Sequence, residues 1–323
     1  MDITQVEHIM NSDPAHARAP YDKNYELGSG FAQGKYSPIM ETSVPILDTG
    51  FIHADAAYDV VSASKGYIFR LDDHLKRFRE SCEKFLLQNP YSDDETAEIL
   101  TNLVKLAGVK DAYIWWCVTR GVMLDVDRRD DDSFDNQFYA FVEPYVWIAN
   151  DEQRSKGFNL LVSNDYIRIP SKAVDPTAKN FHWMDMKLSI FEAVGKGYEW
   201  SVLTDAEGNL TEAPGCNVFF IKDDVLYTPD SGCLEGITRK TILELAAEVG
   251  LKADVARVSA DQLRDADEAF LTSTAGGVMP VSLVDGNALG GRNSPGPMTT
   301  QLHNLYWQKR WDGWLGTPVE YDP

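Results

Sequence analysis

Strand-like and helix-like segments follow one another through the chain without regular strand–helix–strand alternation, which predicts an α+β fold rather than a doubly wound parallel sheet. In AAYDVVSASKGYIFRL, Tyr58, Val60 and Ser62 fall on one face and Asp59 and Val61 on the other, with a turn at Lys65 and Gly66, so the stretch reads as a hairpin. In LDDHLKRFRESCEKFLL, Leu75, Phe78, Cys82 and Phe85 recur at helical spacing, with Asp72 or Asp73 available as the cap. A second helix is expected near 94–107. The run AYIWWCVTRG alternates as a strand, with Tyr113, Trp115 and Cys117 opposite Ile114, Trp116 and Val118. The charged stretch from Val122 to Asn136 reads as a mobile loop, and long loops are often functional. Further strands are expected at FYAFVEPYVWI, GFNLLVSN, WSVLTD, NVFFI, VLYTP and EAFLTST, and helices at about 184–195, 236–245 and 298–311.

Ahead of Ser43 the chain reads as a polar, extended arm. A length of 323 residues suits two compact units, and ANDEQRSKG is the best boundary, giving domains 1–147 and 154–323 joined by a linker at 148–153. The formal net charge of −20 argues against nucleic acid or an anionic membrane as partner. Four scattered cysteines, without CxxC spacing, suggest a reducing compartment and no thiolate metal site. No apolar leader or membrane-length apolar run is seen, and the expectation is a cytoplasmic protein.

Chemistry concentrates in a few places. DPTAKNFHWMD sets Lys179 just ahead of a helical pattern, either as a surface lysine or as an amine held for reaction. Gly236, Ile237 and Thr238 open a helix, where unpaired N–H groups attract an anion, although Thr238 also suits a plain cap. LTSTAGG offers Thr274 and Ala275 in a small-residue loop after a strand, open to a ligand or an ordinary turn. Arg77 lies beside the apolar stripe of its helix, one turn from His74, where a solvated arginine is the simpler expectation. Glu212 in LTEAPGCNVFF is either a turn residue or the fixed partner of a buried cation. The six histidines show no HxxxH or HExxH pairing and there is no GxSxG elbow, so no metal site or serine hydrolase is expected.

GFIHADAAYDVV, FRLDDHLKR, YIWWCVTRG, DPTAKN, LTEAPGCNVFFIKD, LEGITRK and TSTAGGVMPV occur in that order, and together they resemble the signatures of fold type IV pyridoxal-phosphate transaminases. DPTAKNFHW with FRLDDHL and TAGG looks nearest to the (R)-selective amine transaminases. The resemblance implies two α/β domains with pyridoxal 5'-phosphate between them and a homodimer with active sites at its interface. It makes Lys179 the Schiff-base lysine and Glu212 the partner of the pyridine nitrogen. Arg77, Gly236, Ile237, Thr238 and Thr274 would take the phosphate, and Leu234 the ring face. His53, Tyr58, Val60, Tyr113, Trp115, Trp183 and Ala275 would line the substrate pocket, with Arg128 or Arg129 pairing a keto-acid carboxylate. The implied reaction passes an amino group from an (R)-configured primary amine to a keto acid such as pyruvate. A D-amino acid or branched-chain transaminase, and a lyase of the aminodeoxychorismate lyase type, are the alternatives. Trp115 stands where (R)-amine transaminases commonly carry a glutamate.

Overall fold

The computed structural model describes residues 1–128 and 130–321, so Arg129 lies outside the described residues. The chain divides into two compact units, the first comprising Met10–Val146, Ala178–Phe181 and Arg310–Pro323, the second Met1–Ile9, Trp147–Thr177 and His182–Lys309.

The first unit holds β1 (Ser29–Ala32), β2 (Lys35–Pro38), β3 (Ala56–Ser64), β4 (Tyr67–Phe69), β5 (Ala112–Met123) and β6 (Phe134–Pro144). They pair antiparallel in the order β4-β3-β5-β6-β1-β2. Register places Tyr58 opposite Cys117, Val60 opposite Trp115 and Ser62 opposite Tyr113, so these six share one face. The other face, with Ala57, Val61, Ile114, Trp116 and Val118, packs in the hydrophobic core against Leu71, Leu75, Phe78 and Cys82 of the helix Leu71–Lys84. The alternation in the sequence thus separates a core face from a second, aromatic face.

In the second unit lie β7 (Phe158–Val162), β8 (Trp200–Val202), β9 (Asn217–Lys222), β10 (Val225–Pro229), β11 (Lys252–Ala256), β12 (Glu268–Ser273), β13 (Gly277–Val284) and β14 (Asn287–Ala288). Their order is β11-β10-β9-β12-β13-β7-β8, with β14 pairing β13. Neighbours β7–β8 and β10–β11 are parallel, and each needs a crossover, supplied by the helices Met184–Gly195 and Ile237–Glu248. The hairpin β9–β10 turns on Asp223 and Asp224, both at positive φ, as a tight right-twisting turn requires. This unit has its own core, built on Phe158, Val202, Val218, Phe220, Leu271 and Met279.

Several expectations change here. The N-terminal arm is not extended: it carries the helix Val6–Ser12 and the β1–β2 hairpin. Asp72 and Asp73 do not cap their helix; Arg70 occupies that position in a left-handed conformation, and its Nε donates to Asp73 Oδ2 at 2.6 Å. The division at 147 and 154 differs from the observed units in three segments. Residues 1–9 join the second unit, where the Glu7 and His8 amides donate to Asp151. The last strand, β15 (Gly316–Pro318), pairs with β4. Lys179, expected with the residues after 154, belongs to the first unit, because Asn180 bridges Ala57 on the open flank of β3.

Candidate active site

In the first unit, Lys179 is held by its backbone. Its carbonyl accepts from Tyr58 N–H at 3.0 Å, and its own N–H donates to Ser81 Oγ at 3.1 Å. The half-buried side chain carries Nζ over the Tyr58 ring, 4.4 Å from the centroid. That ring begins an aromatic wall: Tyr58 lies 5.6 Å from Phe181 and 5.9 Å from Trp115, and Trp115 stacks on Phe141 at 5.2 Å. Tyr113 continues it at 6.2 Å from Phe141, and burial holds its phenol protonated, raised well above the usual range.

Arg77 is not solvated; it is 8% exposed. Its Nε donates to Asp59 Oδ2 at 2.8 Å and its Nη2 to Asp59 Oδ1 at 2.7 Å, a side-on fork. His74 Nδ1 lies 2.8 Å from the same Oδ1 and must be the protonated nitrogen, since the carboxylate only accepts. Burial pushes Asp59 upward, but the charge of Arg77 and the hydrogen bonds from Arg77 and His74 more than reverse this and hold it well below the usual carboxylate range. Burial likewise keeps His74 neutral, against the pull of Asp59.

In the second unit, Glu212 is 4% exposed, and its two oxygens have separate donors. Arg168 Nε reaches Oε1 at 2.8 Å and the Leu234 N–H reaches Oε2 at 3.1 Å. Arg168 Nη1 also donates to Asp185 Oδ2 at 2.7 Å, and although burial disfavours the guanidinium charge, the two carboxylates raise its pKa on balance. Glu212 is therefore the partner of a buried cation. Leu234 leads into the helix Ile237–Glu248, whose cap, Gly236, offers no side-chain hydrogen bond. The amides of its first turn thus have no capping side chain. A Cβ on Gly236 would stand 2.2 Å from Asn217 Oδ1, so the backbone there is bare by necessity. Thr238 is buried at this helix start, and Thr274 is half-buried in the loop between β12 and β13, next to buried Ala275. Trp183 precedes the helix Met184–Gly195 and lies close to the backbone of Gly215, three residues after Glu212.

Other expected residues lie elsewhere. His53 ends the helix Thr49–His53 at the surface, with no hydrogen bond or ring contact to the aromatic wall among the described residues. Arg128 is exposed and forks onto Asp130 of its own loop, at 2.7 and 3.1 Å. Two partners of expected residues went unnoticed in the sequence: Asp59, which pairs with Arg77, and Arg168, which pairs with Glu212 and whose one signal is an arginine between two isoleucines in YIRIP.

Each unit by itself offers groups of kinds that a phosphorylated pyridine aldehyde could use: the first an amine beside an aromatic ring and a guanidinium, the second a fixed carboxylate, buried or half-buried hydroxyls and a helix start without a capping side chain. Arg77 Nη1 has no hydrogen-bond partner among the described residues and is not sealed from solvent. Residues 56–284 match the amino-transferase class IV family. The branched-chain-amino-acid aminotransferase of Pseudomonas aeruginosa is 33% identical over 264 residues, 80% of this chain and 82% of that protein. The D-alanine aminotransferase of Bacillus licheniformis is 27% identical, over 83% and 92% of the two chains. Among solved structures, the branched-chain aminotransferase of the archaeon Thermoproteus uzoniensis with norvaline superposes with a TM-score of 0.82 at 25% identity, covering 91% of this chain and 100% of that one. The Thermobaculum terrenum branched-chain enzyme in its pyridoxal-phosphate form gives 0.81 at 25% identity, over 92% and 99%. The chain belongs to the class IV aminotransferases, pyridoxal-phosphate enzymes of fold type IV. Among the described residues no helix is long and apolar enough to cross a membrane, and no cluster of His, Cys, Asp or Glu is placed to hold a metal ion.

Proposed function

We propose that this aminotransferase moves the amino group of an (R)-configured primary amine to a keto acid such as pyruvate. The observation that carries the reading is the aromatic wall beside Lys179: Tyr58, Phe181, Trp115, Phe141 and Tyr113 stand in ring contact. Such a surface takes up a hydrophobic substituent. The charged side chain paired across from Tyr113 is Glu143, whose carboxyl burial pushes upward. A substrate carboxylate placed there meets a like group instead of a cation, which favours an amine over an amino acid. The (R) configuration rests on the likeness of DPTAKNFHW, FRLDDHL and TAGG to the (R)-selective enzymes.

Pyridoxal phosphate, when bound, supplies an aldehyde for the amine and a ring that draws off electrons. In this reading Lys179 would hold the cofactor through its amine and would carry the proton at the reacting carbon, within reach of its one side chain. Glu212, oriented by its ion pair with Arg168, would hold the ring nitrogen's proton. Arg77, Gly236, Ile237, Thr238 and Thr274 hold the phosphate, and Leu234 packs on the ring. Val60, Trp183, Ala275 and His53 are the further substrate-facing residues in this reading. Arg128 leaves Asp130 to pair with the acceptor's carboxylate; Arg129 is the alternative for that role.

A second reading, a branched-chain or D-amino acid transaminase, draws on the names of the relatives. Rates with (R)- and (S)-1-phenylethylamine, D-alanine and L-leucine, each with pyruvate or 2-oxoglutarate, decide between them. The (R)-amine with pyruvate is expected to be fastest; preference for L-leucine or D-alanine overturns the reading, and product formed without any keto acid points to the lyase. Homodimerisation is part of the proposal, supported by apolar side chains exposed over 40–52, among them Met40, Ile46, Leu47 and Phe51, each about two-thirds or more exposed. A cytoplasmic location is supported by four buried cysteines, none of them in a disulfide among the described residues.

A further inference from the structure

Strand β3 serves two sides of the candidate site with adjacent residues. Tyr58 receives the Lys179 amine over its ring and binds the Lys179 carbonyl through its N–H. Asp59, next in the chain, faces the helix Leu71–Lys84 and is wholly buried. Its carboxylate takes four hydrogen bonds: from its neighbour Val60 N–H at 2.6 Å, His74 Nδ1 at 2.8 Å, Arg77 Nη2 at 2.7 Å and Arg77 Nε at 2.8 Å. Taking a charged pair into a core is costly and by itself weak evidence for stability. What the pair does accomplish is geometric. With Nε and Nη2 both on Asp59, the planar fork has one orientation, and Nη1, at the corner away from the carboxylate, is the nitrogen left over. His74 fixes the rotation of the carboxylate that fixes the fork. One turn on, Ser81 donates to the Arg77 carbonyl at 2.9 Å and accepts from Lys179 N–H, so the same helix turn holds the lysine's backbone.

We propose that Asp59, steadied by His74, is a positioning residue that locks Arg77 with one guanidinium nitrogen presented to the cofactor phosphate. This rests on the reading of Arg77 as a phosphate-holding residue. The test compares the affinity of the cofactor-free protein for pyridoxal 5'-phosphate with that for pyridoxal, which lacks the phosphate; the ratio of the two isolates the phosphate's contribution. Arg77→Gln is expected to lower that ratio by about 10- to 100-fold, the range of a lost charge-assisted hydrogen bond. Asp59→Asn should lower it by about 10-fold while pyridoxal binding changes by less than about 3-fold. His74→Leu should lower it by a few-fold, and His74→Asn, whose amide N–H can replace Nδ1–H, should restore it. If Arg77→Gln leaves the ratio unchanged, the phosphate role of Arg77 is wrong. If Arg77→Gln lowers it but Asp59→Asn does not, or if Asp59→Asn weakens both ligands equally, the positioning role is overturned. Should Asp59→Asn lose its circular dichroism and fail to fold, the two His74 variants decide: an unchanged ratio in His74→Leu sinks the proposal.

Discussion

Glu212 and Arg168 form a buried ion pair, so each keeps its place only while the other stands beside it. Replacing Arg168 by Met leaves Glu212 and Asp185 without their shared cation, and Glu212 is buried. The expected cost is about 3–5 kcal/mol of stability. Catalysis should fall by about 100-fold as the carboxylate loses the guanidinium that orients it, an effect of general acid–base size. A thermal melt and steady-state rates with added cofactor check both. Lys179→Ala should leave the fold intact, since the backbone of Lys179 makes the contacts to Tyr58 and Ser81. Turnover should drop by at least about 1,000-fold. After borohydride reduction, peptide mapping should place the cofactor on Lys179 in the native protein and nowhere in the variant; a cofactor on Lys172 or Lys187 would contradict the assignment. At this scale the sequence told chemistry but not company. Helical spacing alone makes Arg77 a solvated arginine, because its partner Asp59 lies 18 positions back on another element. Arg168 and Glu212 are 44 positions apart, and no local pattern joins them.

The elements were legible where periodicity is strong and uninterrupted. The helix expected over 184–195 is observed as Met184–Gly195, and the alternation of AYIWWCVTRG correctly divides its core-facing from its aromatic side. Lys252–Ala256 escaped because this edge strand is largely exposed and lacks an apolar alternation, and Val6–Ser12 because its seven residues are polar enough to read as an arm. Element boundaries carry function here. Gly236→Ala would press a methyl onto Asn217, whose Nδ2 donates to the Leu234 carbonyl at 2.7 Å. The loop that presents Leu234 N–H to Glu212 must then shift, and about 1–3 kcal/mol of stability should be lost. Cofactor affinity should fall with it, read by titration of the cofactor-free protein. The helix Pro297–Trp311 buries His303 against β13, its Nδ1 2.8 Å from the Val278 carbonyl. Burial lowers its pKa from 6.5 to about 4. The folded state thus binds fewer protons than the unfolded one below pH 6.5, so this contribution is complete above that pH and is lost as pH falls from 6.5 towards 4. The loss amounts to roughly 3 kcal/mol across the window. Urea midpoints at pH 7 and pH 5 should differ less in His303→Gln than in the native protein.

For the molecule as a whole, charge and apolar surface oppose one another. Each copy carries a formal net charge of −20, so two copies repel over a distance that salt sets, about 10 Å at 0.1 M ionic strength. The exposed apolar segment around Ile46, Leu47 and Phe51 supplies an attraction that salt does not screen. If these residues bury themselves against a second copy, dimerisation must strengthen as salt is added, because screening removes the repulsion and leaves the apolar term. Light scattering across a dilution series should therefore show a tighter dimer at about 300 mM salt than at about 20 mM, where the Debye length is several times the distance across a contact. Phe51→Asp and Leu47→Asp should each shift the protein towards monomer at both salt concentrations. A dimer that weakens with salt would mean that ion pairs hold it, and one indifferent to both aspartates would mean that another face does. Activity belongs in the same experiment: if a pocket is completed only by the second copy, turnover per chain falls in step with the dimer fraction, whereas a fully active monomer would place every needed residue within one chain.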